Sequence, residues 1–413
     1  MKKRFCTVLL TGVLLLTTAC SNVTDASTPQ ATKKDEVNNR KLTYLIVDTN
    51  VTKFYSDAAV INAPHKGEAF FGQDAQYQIN TPSYTDNGDG TVTDNITGLM
   101  WQQNMGQKIT YDQAFIAAKE CMQGGYHDWR FPTIKELYSL IEFTGRVSAA
   151  KATNDLFIDT NYFSQPLGDT SLGEREIDAQ TWSATEYVGK TMKNGATVFG
   201  VNFVDGRIKG YPKYSPGTNQ PKKMYVRLVR GNKEYGKNNY IDNGDGTISD
   251  LATGLMWQQA DAGVGMDWKN ALAYAENLNF ANYDDWRLPS VKELQSIVDY
   301  SRSPQTTNSA AIDPLFDTTK IIDIGGKGNY PYFWTNTTHL EGKNPYSSAA
   351  YIAFGEAQGI MKNRLMDVHG AGAQRSDPKA GDKKLYPKTQ GPQGDVRYVY
   401  NYVRCVRSIV PTT

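Results

Sequence analysis

Histidine and cysteine are scarce in this chain, with four of each in 413 residues. His65, His127, His339 and His369 are scattered, and only His127 has a carboxylate beside it, Asp128. Such spacing gives neither an H-E-x-x-H zinc helix nor a nucleophile paired with a histidine. The G-x-S-x-G elbow, the P-loop and the dinucleotide-binding glycine pattern are also missing. The expectation is a protein without a catalytic role, without a bound metal and without a cofactor. Charge of one sign is lacking too: 44 Lys and Arg face 43 Asp and Glu, a formal net charge of +1. A balance so close to zero leaves no footprint for nucleic acid.

One apolar stretch, residues 8–16, lies between Lys2, Lys3 and Arg4 and the segment Thr17-Thr18-Ala19-Cys20. It is too short to span a bilayer, which takes about 20 residues, and the layout is that of an export signal. The Cys after a small residue resembles a bacterial lipoprotein processing site, although Thr17 stands where such sites usually carry Leu. The resemblance implies lipidation at Cys20, membrane attachment through that lipid and, with Ser21 following rather than Asp, the outer membrane. Residues 1–20 are thus read as signal and 21–40, rich in Ser, Thr, Asn, Asp and Lys, as a solvated tether. Loss of Lys2, Lys3 and Arg4 moves the formal charge from +1 to −2. Beyond Cys6 and Cys20 only Cys121 and Cys405 remain, one in each half of the body. Two readings stand open: a disulfide joining the halves, or two free thiols.

What the chain has in abundance is itself. Residues 86–103 read DNGDGTVTDNITGLMWQQ and residues 242–259 read DNGDGTISDLATGLMWQQ, 14 identities in 18 positions. The echo continues in order: YHDWRFPTIKEL with YDDWRLPSVKEL, TWSAT with FWTNT, and YVRLVR with YVRCVR. Solenoid units run to about 20–50 residues, whereas this period is the size of an ordinary domain. The expectation is two tandem homologous domains, residues 41–232 and 233–413, each with its own core.

Asn-Gly and Asp-Gly supply the positive φ of a tight hairpin turn. A calcium loop fits less well, because the alternate positions after Asp86 are Gly88 and Gly90 rather than oxygen donors. Thr110-x-x-Gln113 predicts a capped helix, with Asp267 starting its counterpart. Thr133-x-x-Glu136 and Ser290-x-x-Glu293, each directly after a proline, open a second pair. Period-two alternation in TWSAT, VFGVNFV and YVRLVR, and in FWTNT, AAYIAFG and YVRCVR, predicts half-buried antiparallel strands. Each domain therefore reads as α+β: a β-hairpin, two helices, then a small antiparallel sheet. Residues 209–224 and 361–394 read as long loops, where specificity would sit on a repeated frame.

The DNGDGT run, the helix pair joined by DWRLPxxKEL and the closing VRCVR resemble the bacterial domain family named after the C-terminal domain of Legionella collagen-like adhesins. The segment at residues 67–77, GEAFFGQDAQY, is similar to the piece that often precedes the first such domain. The order of helices and sheet is also similar to the C-type lectin-like group. The resemblance implies binding of sulfated glycosaminoglycans and a role in attachment. It implies as well a Cys in the first helix paired with the Cys of VRCVR. Here Ala118 and Ala275 occupy the helix positions and Leu228 replaces one strand Cys, so that bridge is lost; a collagen-like stalk is missing as well.

Two basic, aromatic loop clusters are the candidate ligand contacts. The first holds Lys209, Tyr211, Lys213, Tyr214, Lys222 and Lys223, with Tyr225 beside them. The second holds Arg364, Lys379, Lys383, Lys384, Tyr386 and Lys388. Cations suit sulfate and aromatic faces suit sugar rings. The alternative is a non-lectin envelope protein that uses these loops on another surface or secreted protein. His127-Asp128, replaced by Asp284-Asp285 in the second copy, reads as a solvent-facing turn, and Arg130 and Arg287 of the DWR motifs as scaffold. The oligomeric state is left open.

Overall fold

A computed structural model describes residues 42–409, apart from 149, 150, 154, 193, 194 and 216. Cys20, the signal expected to end at it and the tether expected to follow it lie outside these residues. Among them, no helix is long and apolar enough to cross a membrane.

Each repeat begins with the expected hairpin. In the first, β1 (Tyr84–Asp86), β2 (Thr91–Asp94) and β3 (Leu99–Gln102) run antiparallel. Gly88 and Gly90 turn the β1–β2 loop at φ 76° and 81°, which a side chain would resist. Asp89 Oδ1 accepts from the amide and hydroxyl of Thr91 at 3.0 and 2.6 Å, so the loop carboxylate serves the turn. Two helices follow: α1 (Tyr111–Glu120), with both halves of the Thr110 capping box formed, and α2 (Ile134–Tyr138), capped likewise by Thr133 and Glu136. Such a cap is worth about 1 kcal/mol. Then come β4 (Thr181–Glu186), β5 (Thr197–Asn202), β6 (Arg207–Pro212) and β7 (Val229–Gly231), the last closing the hairpin sheet beside β3.

The second repeat retraces this path: β8 (Tyr240–Asp242), β9 (Thr247–Asp250), β10 (Leu255–Gln258), α3 (Trp268–Glu276) and α4 (Val291–Ser296). It continues with β11 (Tyr332–Thr338) and β12 (Ser348–Ala353). Here it departs, inserting the hairpin β13 (Gln358–Met361) and β14 (Arg364–Asp367) before β15 (Gln374–Pro378). β16 (Lys388–Gln390) and β17 (Asp395–Arg397) join that hairpin in a four-stranded sheet of order β14-β13-β17-β16. β18 (Val406–Ser408) returns to β10. Both stretches read as long loops are thus partly strand. Their lysines and glycines hide the alternation that betrays a strand, and pairing across the chain decides it instead.

One six-stranded antiparallel sheet runs β11-β12-β15-β6-β5-β4. Its order is palindromic: first, second and third strands of one repeat, then third, second and first of the other. α2 lies against β4 and β5, α4 against β11 and β12, and the two helices touch. The largest core is common to both repeats, with Ile134, Leu137 and Phe199 packed in one cluster with Val291, Leu294 and Ile352. Smaller clusters around Trp182 and Trp334 belong to one repeat each. The expectation of two separately cored domains is corrected accordingly: β6 and β15, which the sequence conceals, fuse the halves.

Candidate functional site

The recurring motifs are consumed by the frame. Arg287 of the second DWR gives two hydrogen bonds to Glu293 at 2.6 and 2.5 Å, and Glu293 also closes the α4 capping box. Arg130 pairs with Glu136 in the first repeat through Nη2 alone, and Glu136 closes the α2 capping box. Arg227 and Arg404, the first arginines of the closing motifs, donate into carbonyls at 103 and 164 and at 258 and 317 (2.7–2.8 Å). Arg230 and Arg407 clamp Asp128 and Asp285, each over a tyrosine ring at 3.8 Å. The ion pairs of these arginines stay within their own repeats, as expected of scaffold residues.

The first loop cluster is mostly turned inward. Lys209 lies within β6 and gives its ammonium to the buried Asp205 at 2.8 Å; burial lowers its pKa to about 8. Tyr211 is buried, 7% exposed, beneath the Lys222 ammonium at 5.2 Å. Lys213 pairs with Glu186 at 2.7 Å and stands 4.3 Å over the Tyr111 ring. Of the six residues only Tyr214 and Lys223 are exposed. In the second cluster Lys379 is 1% exposed, donating to Ser56 O at 3.0 Å and Thr338 Oγ1 at 2.8 Å. Lys209 and Lys379 therefore fill internal positions rather than the surface the sequence reading gave them. Lys209 lies on the third strand of its repeat, and Lys379 directly follows the third strand of the other.

The remaining residues of the second cluster gather on the added sheet. Arg364 begins β14 at one edge, Lys388 begins β16 at the other, and Lys383 and Lys384 form the turn before Tyr386. All four cations are exposed, and none forms an ion pair among the described residues. Lys388 lies 4.9 Å over the half-buried Tyr386 ring, and Lys383 5.1 Å over Tyr400. Lys362, in the β13–β14 turn, adds a fifth exposed cation. Sequence reasoning passed over it because nothing marked that stretch as a turn facing the same sheet.

The Lcl C-terminal domain matches this chain over residues 90–230 and again over 246–369, together more than half of its length. The chain belongs to the Lcl C-terminal domain family. No curated protein and no solved structure matches it. The family suggests an adhesin-like or carbohydrate-binding module and a bacterial surface or envelope protein.

The two repeats carry one free thiol each among the described residues. Cys405 is fully buried under Gln258, and Cys121 is half-buried at the end of α1 with Gln102 Nε2 at 3.5 Å. They sit in different clusters, so the bridge left open by the sequence is not formed. Burial pushes the Cys405 thiol well above its usual range. Between the copies a cleft of about 610 Å³ opens beside Arg130, Thr133 and Glu136, with Tyr300 and Asp299 across from them. Sequence reasoning missed this cleft, because its walls come from segments more than 150 residues apart.

Proposed function

We propose that this is an adhesin-like binding protein of the bacterial envelope that recognises anionic carbohydrate, sulfated glycosaminoglycans foremost. The observation that carries the reading is the set of exposed cations on and beside the added sheet, Arg364, Lys383, Lys384 and Lys388, without carboxylate partners among the described residues, with Lys388 over the Tyr386 ring and Lys383 over that of Tyr400. Free ammonium and guanidinium groups suit sulfate, and a tyrosine face flanked by a cation suits a sugar ring. Tyr214 and Lys223 of the first repeat would add a second contact, and two contacts on one chain raise avidity where the ligand repeats at their spacing. The lipid anchor at Cys20, the outer-membrane location and the C-type lectin-like frame are parts of this proposal, as is the lack of catalysis, cofactor and nucleic-acid binding.

The test is a glycan array that includes sulfated glycosaminoglycans, probed at low and high salt with the wild type and with K383A/K384A/K388A. Salt-sensitive binding lost in the triple variant supports the reading. A blank array, or binding unchanged by the three substitutions, overturns it. A second reading, recognition of another envelope or secreted protein, is favoured by the cleft between the repeats.

A further inference from the structure

The two repeats differ most in what covers the same groove. Residues 42–83, ahead of the first hairpin in sequence, form a strap that touches both repeats: Thr49 O accepts from Phe143 N of the first, and residues 70–79 cross the second. There Asp74 accepts the Thr337 hydroxyl proton, the Tyr77 ring lies 5.2 Å under the Arg287 guanidinium, and the Tyr77 hydroxyl donates to Glu276. Phe70 packs beside Trp268 at 6.2 Å. With Asp74, Tyr77 and Ile79 in place beside Arg287, Ser290 and Glu293, only about 10 Å³ of that groove stays empty.

The equivalent positions of the first repeat are Arg130, Thr133 and Glu136, and there the groove is the open cleft of about 610 Å³. Its polar groups match those the strap satisfies opposite. Thr185 accepts from Ile134 N at 3.0 Å, as Thr337 does from Val291 N at 3.0 Å. Yet among the described residues the Thr185 hydroxyl has no acceptor, whereas the Thr337 hydroxyl donates to Asp74. Arg130 Nη1 is buried without a partner, although both Nη atoms of Arg287 are bonded. A buried nitrogen left unpaired is destabilising, and a docked acceptor would satisfy it. Phe115, 48% exposed, extends the apolar wall from Phe131 at 5.1 Å between rings. One position is reversed in charge: Lys119, exposed and outside every described ion pair, stands where Glu276 receives the Tyr77 proton.

We propose that this cleft docks an extended polypeptide segment of a partner protein, built like the strap. Its carboxylate would meet Thr185 and Arg130, and its side chain three residues on would lie under Arg130. The Lys119 ammonium selects an acceptor at the far end of that side chain, where the strap carries a tyrosine hydroxyl. This docking is independent of carbohydrate binding by the added sheet.

The experiment titrates purified full-length chain with a synthetic peptide of residues 67–79 bearing a photo-crosslinker, its Asp74→Asn and Tyr77→Glu forms, and a scrambled control. The peptide is expected to bind at one site and to cross-link within residues 110–136. Asp74→Asn should weaken binding about tenfold or more, and Tyr77→Glu should strengthen it. In the chain, Lys119→Glu should reverse that preference and favour the tyrosine peptide; exposed and unpaired, Lys119 can change without unfolding the protein. Equal binding of the scrambled peptide, cross-links confined to the second repeat, or no reversal by Lys119→Glu would overturn the proposal. Self-association of the chain competed by the peptide would overturn it as well, by assigning the cleft to a second copy.

Discussion

Lys135 and Lys292, the same position of the two KEL motifs, each hand their ammonium protons to the other repeat. Lys135 Nζ donates to Ser296 O at 2.6 Å and Lys292 Nζ to Ser139 O at 2.9 Å, so each helix ends on its counterpart's lysine. A cation at a helix C-terminus is favourable, and here it is shared between the halves. Lys292 also holds Asp48 O of the strap at 2.9 Å.

Removal of that ammonium orphans two buried carbonyls at once. Lys292→Met is expected to cost about 3 kcal/mol, and Lys135→Met less, because Lys135 is half-buried. Urea denaturation followed by tryptophan fluorescence measures both. The wild type should unfold in one transition, since the largest core is common. Two separate transitions, or an unchanged midpoint in Lys292→Met, would contradict this account.

Protonation of His339 should weaken the joint between the repeats. His339 Nε2 donates to Asp205 O at 3.1 Å, and burial, with Arg207 near, lowers its pKa to about 4; burial and Arg375 do the same to His369. Depressed below the unfolded value near 6.5, each histidine contributes stability that is full above about pH 6.5 and lost as pH falls through about 4. That is at most about 3 kcal/mol each. Asp367 and Asp377, raised to about 7 mainly by burial, act in the opposite direction over the same range. The comparison is therefore between proteins: His339→Gln should lose less stability than the wild type between pH 6.5 and 4, read as denaturation midpoints.

The strap should loosen as pH rises. Burial, with Asp48 nearby, raises the Asp74 pKa to about 7. A raised carboxylate contributes stability that is present at low pH and lost as pH climbs through that value. Amide exchange of residues 70–79, corrected for intrinsic rate, should be faster at pH 8 than at pH 6, and Asp74→Asn should abolish the difference.

The thiols should behave as two separate groups. A thiol reagent added to the folded protein is expected to modify Cys121 and to reach Cys405 only on unfolding. A disulfide between them under mild oxidation would contradict the buried placement of Cys405 in its own cluster.

Local features were legible in the sequence because local chemistry fixes them. The capping boxes at Thr110, Thr133 and Ser290, the glycine turns of the hairpins and the scaffold role of Arg130 and Arg287 all rest on neighbours a few residues away. Pairings set across the chain were hidden. Nothing in RIKGYP says that β6 will meet β15, where Ile208 opposite Gln374 is the registered pair. Lys379 looks like any surface lysine until Ser56, 323 residues away, supplies its acceptor. The exposed part of the site, Lys383 to Lys388, was readable as composition, whereas the cleft depends on what the strap leaves uncovered.

The palindromic sheet also sets a limit on growth by duplication. β6 and β15 spend their outer edges on each other. The far edges, β4 and β11, are occupied at Thr181 by Tyr225 and at Phe333 by Tyr402. A third copy appended to the chain would meet, at both ends of this sheet, an edge already engaged by its own repeat's closing motif, with no free counterpart of the β6–β15 pairing that joins these two.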